Sequence, residues 1–254
     1  MNKQITFAAF CLFSLFPFFA NAQIINIEKA RKVTDTVGLA GGAQLRGSYF
    51  ENEQRYFNIS AIPDVQYKTK KDLILLIGAY SLSKTEDIEL QNAGMVHLRY
   101  NRKMNDVIRF EAFQQIQKDA VNKIDYRYLV GAGLRTKLIE SDFTKIYLGV
   151  LPMLELEQSD PPVSRFQRDV RASNYLSFSF FMNDTATLYS TSYYQPDVSE
   201  LADYRFYNEN QLSFALGETT SFDLTSRFTF DSEPPIDAPN RFVLVSGGFS
   251  VYSR

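Results

Sequence analysis

The chain holds one histidine and one cysteine in 254 residues. Any histidine-based triad, dyad or metal centre must use His97, in VHLRYNRKMNDVIRFEAFQQ, and no serine or aspartate partner is identifiable for it. Cys11 stands alone, so no disulfide and no cysteine-rich ligand cluster can form within the chain. No catalytic, cofactor-binding or metal-binding residue is therefore expected, and no enzymatic activity. What the sequence offers instead is a periodic set of polar and charged residues. His97, Arg99, Arg109 and Glu111 lie in the stretch quoted above; Arg127, Arg135, Glu155, Arg171, Asp223 and Arg227 follow, with Arg46, Asp64, Lys145 and Glu157 in the same phase. Side chains of both signs held in one enclosed space either pair with each other and fill it, or select small polar and ionic solutes by their fields.

The elements that position them are strands. From Val37 onward apolar and polar residues alternate with period two, and turn residues separate the segments. Leu39, Leu45 and Tyr49 oppose Gln44, Arg46 and Ser48; Phe57, Ile59, Val65 and Tyr67 oppose Asn58, Asp64 and Gln66. Val96, Leu98 and Tyr100 oppose His97, Arg99 and Asn101, while Ile108, Phe110 and Ala112 oppose Arg109, Glu111, Phe113 and Gln115. DLILLIGAYSL is apolar on both faces, so its phase stays ambiguous. About twelve such strands of roughly nine to thirteen residues are expected, longer than those of soluble sheets and long enough to cross a bilayer at a tilt. With no extended helical periodicity between them, neighbours should pair antiparallel.

Alternation alone does not separate a soluble sandwich from a membrane barrel, so strand length and loop pattern must. Connections after even strands are short (KTKKD, RKMND, IESD, MNDT, GETT). Those after odd strands are mostly longer (SKTEDIELQNAG, QKDAVNKID, QSDPPVSRFQR, QPDVSELAD, DSEPPIDAPN), with ENEQR the exception. Short periplasmic turns facing long external loops are the pattern of outer-membrane barrels. Tyr67 and Tyr100 on one side, and Tyr49, Tyr126, Tyr194 and Tyr204 on the other, suit interfacial aromatic girdles. The expected fold is all-β: a single antiparallel up-and-down transmembrane barrel over 37–254, with both termini periplasmic. Hydrocarbon requires a closed sheet, and an arginine on its lipid face near mid-bilayer costs roughly 2–4 kcal/mol, so the charged phase points inward. Packing of that lining into a filled interior is favoured over an open bore. Gly131 with Gly133, and Gly247 with Gly248, fit close strand approach or barrel bends rather than phosphate binding, because no helix follows them.

The first residues, MNKQITFAAFCLFSLFPFFANAQ, read as a signal peptide over 1–22: Lys3 before an apolar core, then Ala20-Asn21-Ala22 before Gln23. Cys11 would leave with it. Residues 23–36 form a polar periplasmic lead, in which Glu28, Lys29 and Arg31 either enter the lumen or belong to a loose tail. The formal net charge of -2 argues against nucleic acid as a partner.

Four segments, NIEKARKVTDTVGLAGGAQL, VQYKTKKDLILLIGAYSL, GMVHLRYNRKMNDVIRFEAFQQIQ and YLVGAGLRTKL, resemble a known family. It is the outer-membrane barrel family described as domain of unknown function 481, related to bacterial salt-induced outer-membrane proteins, in a Bacteroidota-type version. The segments cover the first half of the chain after residue 22; the second half matches by strand pattern only. The family's GHLRYN-like segment has Met95-Val96 between Gly94 and His97 here. The resemblance implies an outer-membrane barrel of a Gram-negative envelope and hints at stress-related expression. It brings no established activity or ligand, so no catalytic residue carries over. Barrels usually end on an aromatic residue read by the assembly machinery, whereas this chain reads Val251-Tyr252-Ser253-Arg254. The expected partners are outer-membrane lipid, the barrel assembly machinery and small polar or ionic solutes, without a cofactor. The expected role is a narrow channel or an envelope-integrity barrel; a hydrolase using His97 and a soluble periplasmic β-protein are the alternatives.

Overall fold

A computed structural model describes residues 37–51, 55–86, 88–120, 122–159 and 165–252. The signal peptide, Cys11 and the lead with Glu28, Lys29 and Arg31 lie outside the described residues. The strands are β1 (Gly38–Glu51), β2 (Arg55–Lys68), β3 (Asp72–Thr85), β4 (Glu89–Lys103), β5 (Ile108–Asp119) and β6 (Ile124–Glu140), followed by β7 (Thr144–Ser159), β8 (Phe166–Phe181), β9 (Ala186–Pro196), β10 (Tyr204–Ala215), β11 (Thr220–Asp231) and β12 (Arg241–Tyr252). Each pairs antiparallel with its sequence neighbours and β12 returns to β1, giving a closed twelve-strand barrel. The return seam is brief, running from Gly42 opposite Tyr252 to Leu45 opposite Phe249.

Alternation divides inside from outside. On β4, Val96 is 50% exposed while His97 is 3% exposed; on β3, Leu76 is 46% exposed while Leu75 is fully buried. Leu39, Leu45, Ile59, Val65, Ile116, Leu134, Val150 and Leu176 continue the outward apolar belt. β3 thus resolves its ambiguous phase: Ile74, Leu76 and Tyr80 face out, and Leu75 and Ile77 pack inside against Ile62. Near the long-loop rim Tyr194 and Tyr204 are 5.5 Å apart, and Tyr204 and Phe230 5.7 Å apart, between ring centres.

At the end where β1 begins and β12 finishes, the turns 69–71, 104–107, 141–143, 182–185 and 216–219 are all short. Two of them repeat the residues Met-Asn-Asp and close in the same way. Asn105 Oδ1 accepts from the Val107 and Ile108 amides at 2.9 and 2.7 Å, and Asn183 Oδ1 from the Thr185 and Ala186 amides at 2.9 and 2.7 Å. At the opposite end the connections 160–165, 197–203 and 232–240 are long, but two expected long loops are not. SKTEDIELQNAG and QKDAVNKID are mostly strand, β3 running to Thr85 with β4 starting at Glu89, and β5 running to Asp119 with β6 starting at Ile124. Ser81 pairs with Ala93 and Ser83 with Gln91, because backbone pairing continues through polar residues beyond any apolar belt. β1 to β4 and β6 to β8 are accordingly longer than the expected nine to thirteen residues, up to 17 in β6, while β5 and β9 to β12, at 11 or 12, fall within that range.

β6 and β7 approach closely at Gly133, where a Cβ would collide with the Val150 carbonyl oxygen; their register skips from Gly131–Met153 to Leu134–Val150. The outward assignment of Val96 is testable. Val96→Arg should lower the unfolding free energy by about 2–4 kcal/mol, read from urea titrations in micelles. A Val96→Arg barrel as stable as its parent contradicts a lipid-facing Val96.

Candidate functional site

The interior side chains form three hydrogen-bonded groups around an apolar and aromatic filling. The first joins β4 to β8. Arg99 Nε donates to His97 Nε2 at 3.3 Å, and Nδ1 of the same ring lies 2.8 Å from Gln115 Oε1. The imidazole thus sits between an amide oxygen and a guanidinium N–H, with its ring stacked 5.6 Å from Phe113. Arg99 also binds Glu111 at 2.9 Å, and Glu111 accepts from the Tyr175 hydroxyl at 2.6 Å. Arg135 lies 3.9 Å from Glu111 and stacks over Tyr147 at 3.8 Å. Tyr175 lies against the backbone at Gly149, where a Cβ would overlap its ring.

The second group sits toward the long-loop end. Glu155 and Glu157 project side by side from β7 into three guanidinium groups. Glu155 is 3.3 Å from Arg127, 3.2 Å from Arg171 and in contact with Arg205; Glu157 is 2.5 Å from Arg127 and 3.3 Å from Arg205. Arg205 continues to Asp231 at 2.8 Å and Arg171 to Asp203 at 2.7 Å. The third group, on the opposite wall, pairs Arg227 with Glu209 at 2.7 Å. Glu209 also accepts from the Tyr207 hydroxyl at 2.7 Å, while Asp223 accepts from Ser213 at 2.6 Å and from Ser250.

Nine of the ten residues singled out from the sequence, His97, Arg99, Glu111, Arg127, Arg135, Glu155, Arg171, Asp223 and Arg227, lie inside the barrel within these groups, whereas Arg109 is exposed and lines the cavity at the short-turn mouth. Arg205 and Glu209 were missed. On β10 the outward positions Asn208 and Asn210 are polar too, so neither face of YRFYNENQLSFAL reads as oily. Asn208 donates to Ser192 at 2.9 Å and accepts from Asn210 at 2.7 Å. Asp169, Asp197 and Asp203 gather near the long-loop rim, but Arg171 already supplies the positive charge there, 3.7 Å from Asp169 and 2.7 Å from Asp203.

Residues 41–241 match the family described as "Protein of unknown function, DUF481". The chain belongs to that family. Its solved structural neighbours are outer-membrane barrels. The translocator domain of autotransporter NalP from Neisseria meningitidis aligns with a TM-score of 0.50 at 10% identity, over 90% of this chain and 93% of that one. The NanC porin aligns at 0.48 and 10% identity, over 84% and 97%. The KdgM porin aligns at 0.43 and 10% identity, over 84% and 96%. No curated protein matches the sequence. At such identities these neighbours show the family's fold and nothing of its activity.

Removing one member of a buried ion cluster leaves the others uncompensated. Glu155→Ala should cost about 3–5 kcal/mol of unfolding free energy, whereas Lys84→Ala on the rim should leave it unchanged. Equal urea midpoints for the two variants contradict the geometry of the cluster.

Proposed function

We propose that this chain is a non-catalytic outer-membrane barrel whose lumen is closed by its own side chains. It would serve the envelope as a sealed wall element that passes at most small ions when the interior pairs rearrange. The observation that carries this reading is the state of the lining. Glu111, Thr191 and Tyr207 are fully buried and Arg171 is 2% exposed, though they project from four different strands into the barrel interior. A water-filled bore would leave such residues wet. The outward apolar belt supports membrane residence over a soluble periplasmic form, since large contiguous apolar surfaces are rare on soluble monomers. The short turns at the end shared by both barrel termini favour the orientation that puts that end in the periplasm. Export by the N-terminal segment and insertion by the barrel assembly machinery complete the reading.

The surroundings of His97 favour a structural role over hydrolysis. Both ring nitrogens are engaged, Nδ1 with Gln115 and Nε2 with Arg99, which leaves no nitrogen directed at a nucleophile.

Planar-bilayer recording of the refolded barrel, with heat-modifiability on gels as the folding control, tests this function. The parent should give a heat-modifiable barrel without discrete porin-sized steps. Arg99→Ala combined with Glu111→Ala should bring steps out by clearing the interior. Porin-sized steps from the parent overturn the closed lumen, and turnover lost on His97→Ala overturns the non-catalytic reading.

A further inference from the structure

The filled interior leaves a hollow at the short-turn mouth, a cavity of about 340 Å³ whose charge balance differs from the rest of the lumen. Seven cationic side chains and two carboxylates line it. Lys68, Lys70 and Lys71 come from the end of β2 and its turn, Lys103 and Arg109 flank the β4–β5 turn, and Arg135 and Lys145 reach in from β6 and β7. Arg99, Arg127, Arg171, Arg205 and Arg227 elsewhere in the barrel each meet a carboxylate. Here Asp72 accepts from the Tyr100 hydroxyl at 2.6 Å, and Glu140 lies 2.5 Å from Lys137. Lys103 is held by Asp106 at 2.6 Å. Among the described residues, Lys70, Lys71 and Arg109 make no side-chain hydrogen bond or ion pair within 4.0 Å.

We infer that this basin is a binding site for a multivalent oxyanion, a small molecule carrying two or more phosphate or carboxylate groups, offered from the periplasmic side. Like charges converging on one concavity repel, and an oxyanion is the partner that removes the repulsion. The volume suits a compact ligand of that kind. Arg109 presents a planar fork to two oxygens of one group, while the lysines act as point charges on its neighbours. Below the basin Arg135 sits stacked on Tyr147, so the floor is a fixed positive surface rather than a bore. The inference takes only its compartment from the function proposed above; binding and conductance succeed or fail separately.

The test uses the refolded barrel in a zwitterionic detergent, titrated calorimetrically with inorganic tripolyphosphate at low ionic strength, with citrate as the carboxylate arm. One saturable event is expected for at least one of the two, weakening as salt rises because exposed charges are screened within about 10 Å at 0.1 M. Combining Lys70→Gln, Lys71→Gln and Arg109→Gln should raise the dissociation constant at least tenfold while the barrel stays heat-modifiable. Lys84→Gln with Arg168→Gln, near the opposite rim, should leave it unchanged. If neither anion binds saturably, or if both variants bind like the parent, the inference is overturned; the arm that binds identifies the oxyanion.

Discussion

A closed sheet in hydrocarbon leaves its mid-strand charges one direction to point. Every backbone donor and acceptor is satisfied by closing twelve strands, and the same closure sends alternate side chains into a space too narrow to hydrate them. Taking an ion from water into such a space costs several kcal/mol, so an interior charge needs a counter-charge or hydrogen-bonding groups at contact distance. The clustering of Glu155 and Glu157 among Arg127, Arg171 and Arg205 follows from that requirement, as does the pairing of Arg99 with Glu111 and of Arg227 with Glu209. Such pairs add little to stability over an apolar core of the same volume, but they make single losses costly and hold the packing in one arrangement.

β7 carries the whole interior plan in one strand. Its inward positions read Lys145, Tyr147, Gly149, Leu151, Met153, Glu155 and Glu157, with charge at both ends and small or apolar residues between. The gap at Gly149 admits Tyr175, and Leu151 and Met153 join Phe113, Leu129, Tyr193 and Tyr207 in one buried cluster. This apolar layer lowers the local dielectric around the flanking ion pairs and so strengthens them.

How much of this the sequence discloses varies by strand for physical reasons. β4 and β5 are plain because arginine, glutamate and histidine alternate with valine, leucine and phenylalanine, and only one phase is tolerable in lipid. β3 is opaque because part of the interior is itself apolar, so Leu75 and Ile77 look no different from the outward Ile74 and Leu76. β10 misleads in the other sense, since outward Asn208 and Asn210 satisfy each other and Ser192 by hydrogen bonds within the sheet. Strand ends extend further than expected because pairing outlasts apolarity. Partners across the lumen, such as Tyr175 with Glu111 or Arg205 with Glu155, depend on barrel size and strand tilt, which a one-dimensional pattern does not contain.

The two mouths consequently differ in kind. At the long-loop end three arginines meet Glu155, Glu157, Asp203 and Asp231, so positive charge is answered within the protein. At the short-turn end the lysines of KTKK and the guanidinium of Arg109 surround a hollow that contains few carboxylates. A filled, apolar middle keeps these ends from neutralising each other, because counter-charges on opposite sides of it are too far apart to pair. The buried packing of Tyr175, Leu151 and Tyr207 therefore holds the two charged ends apart, and it conditions the basic character of the short-turn mouth as much as the residues that line that mouth.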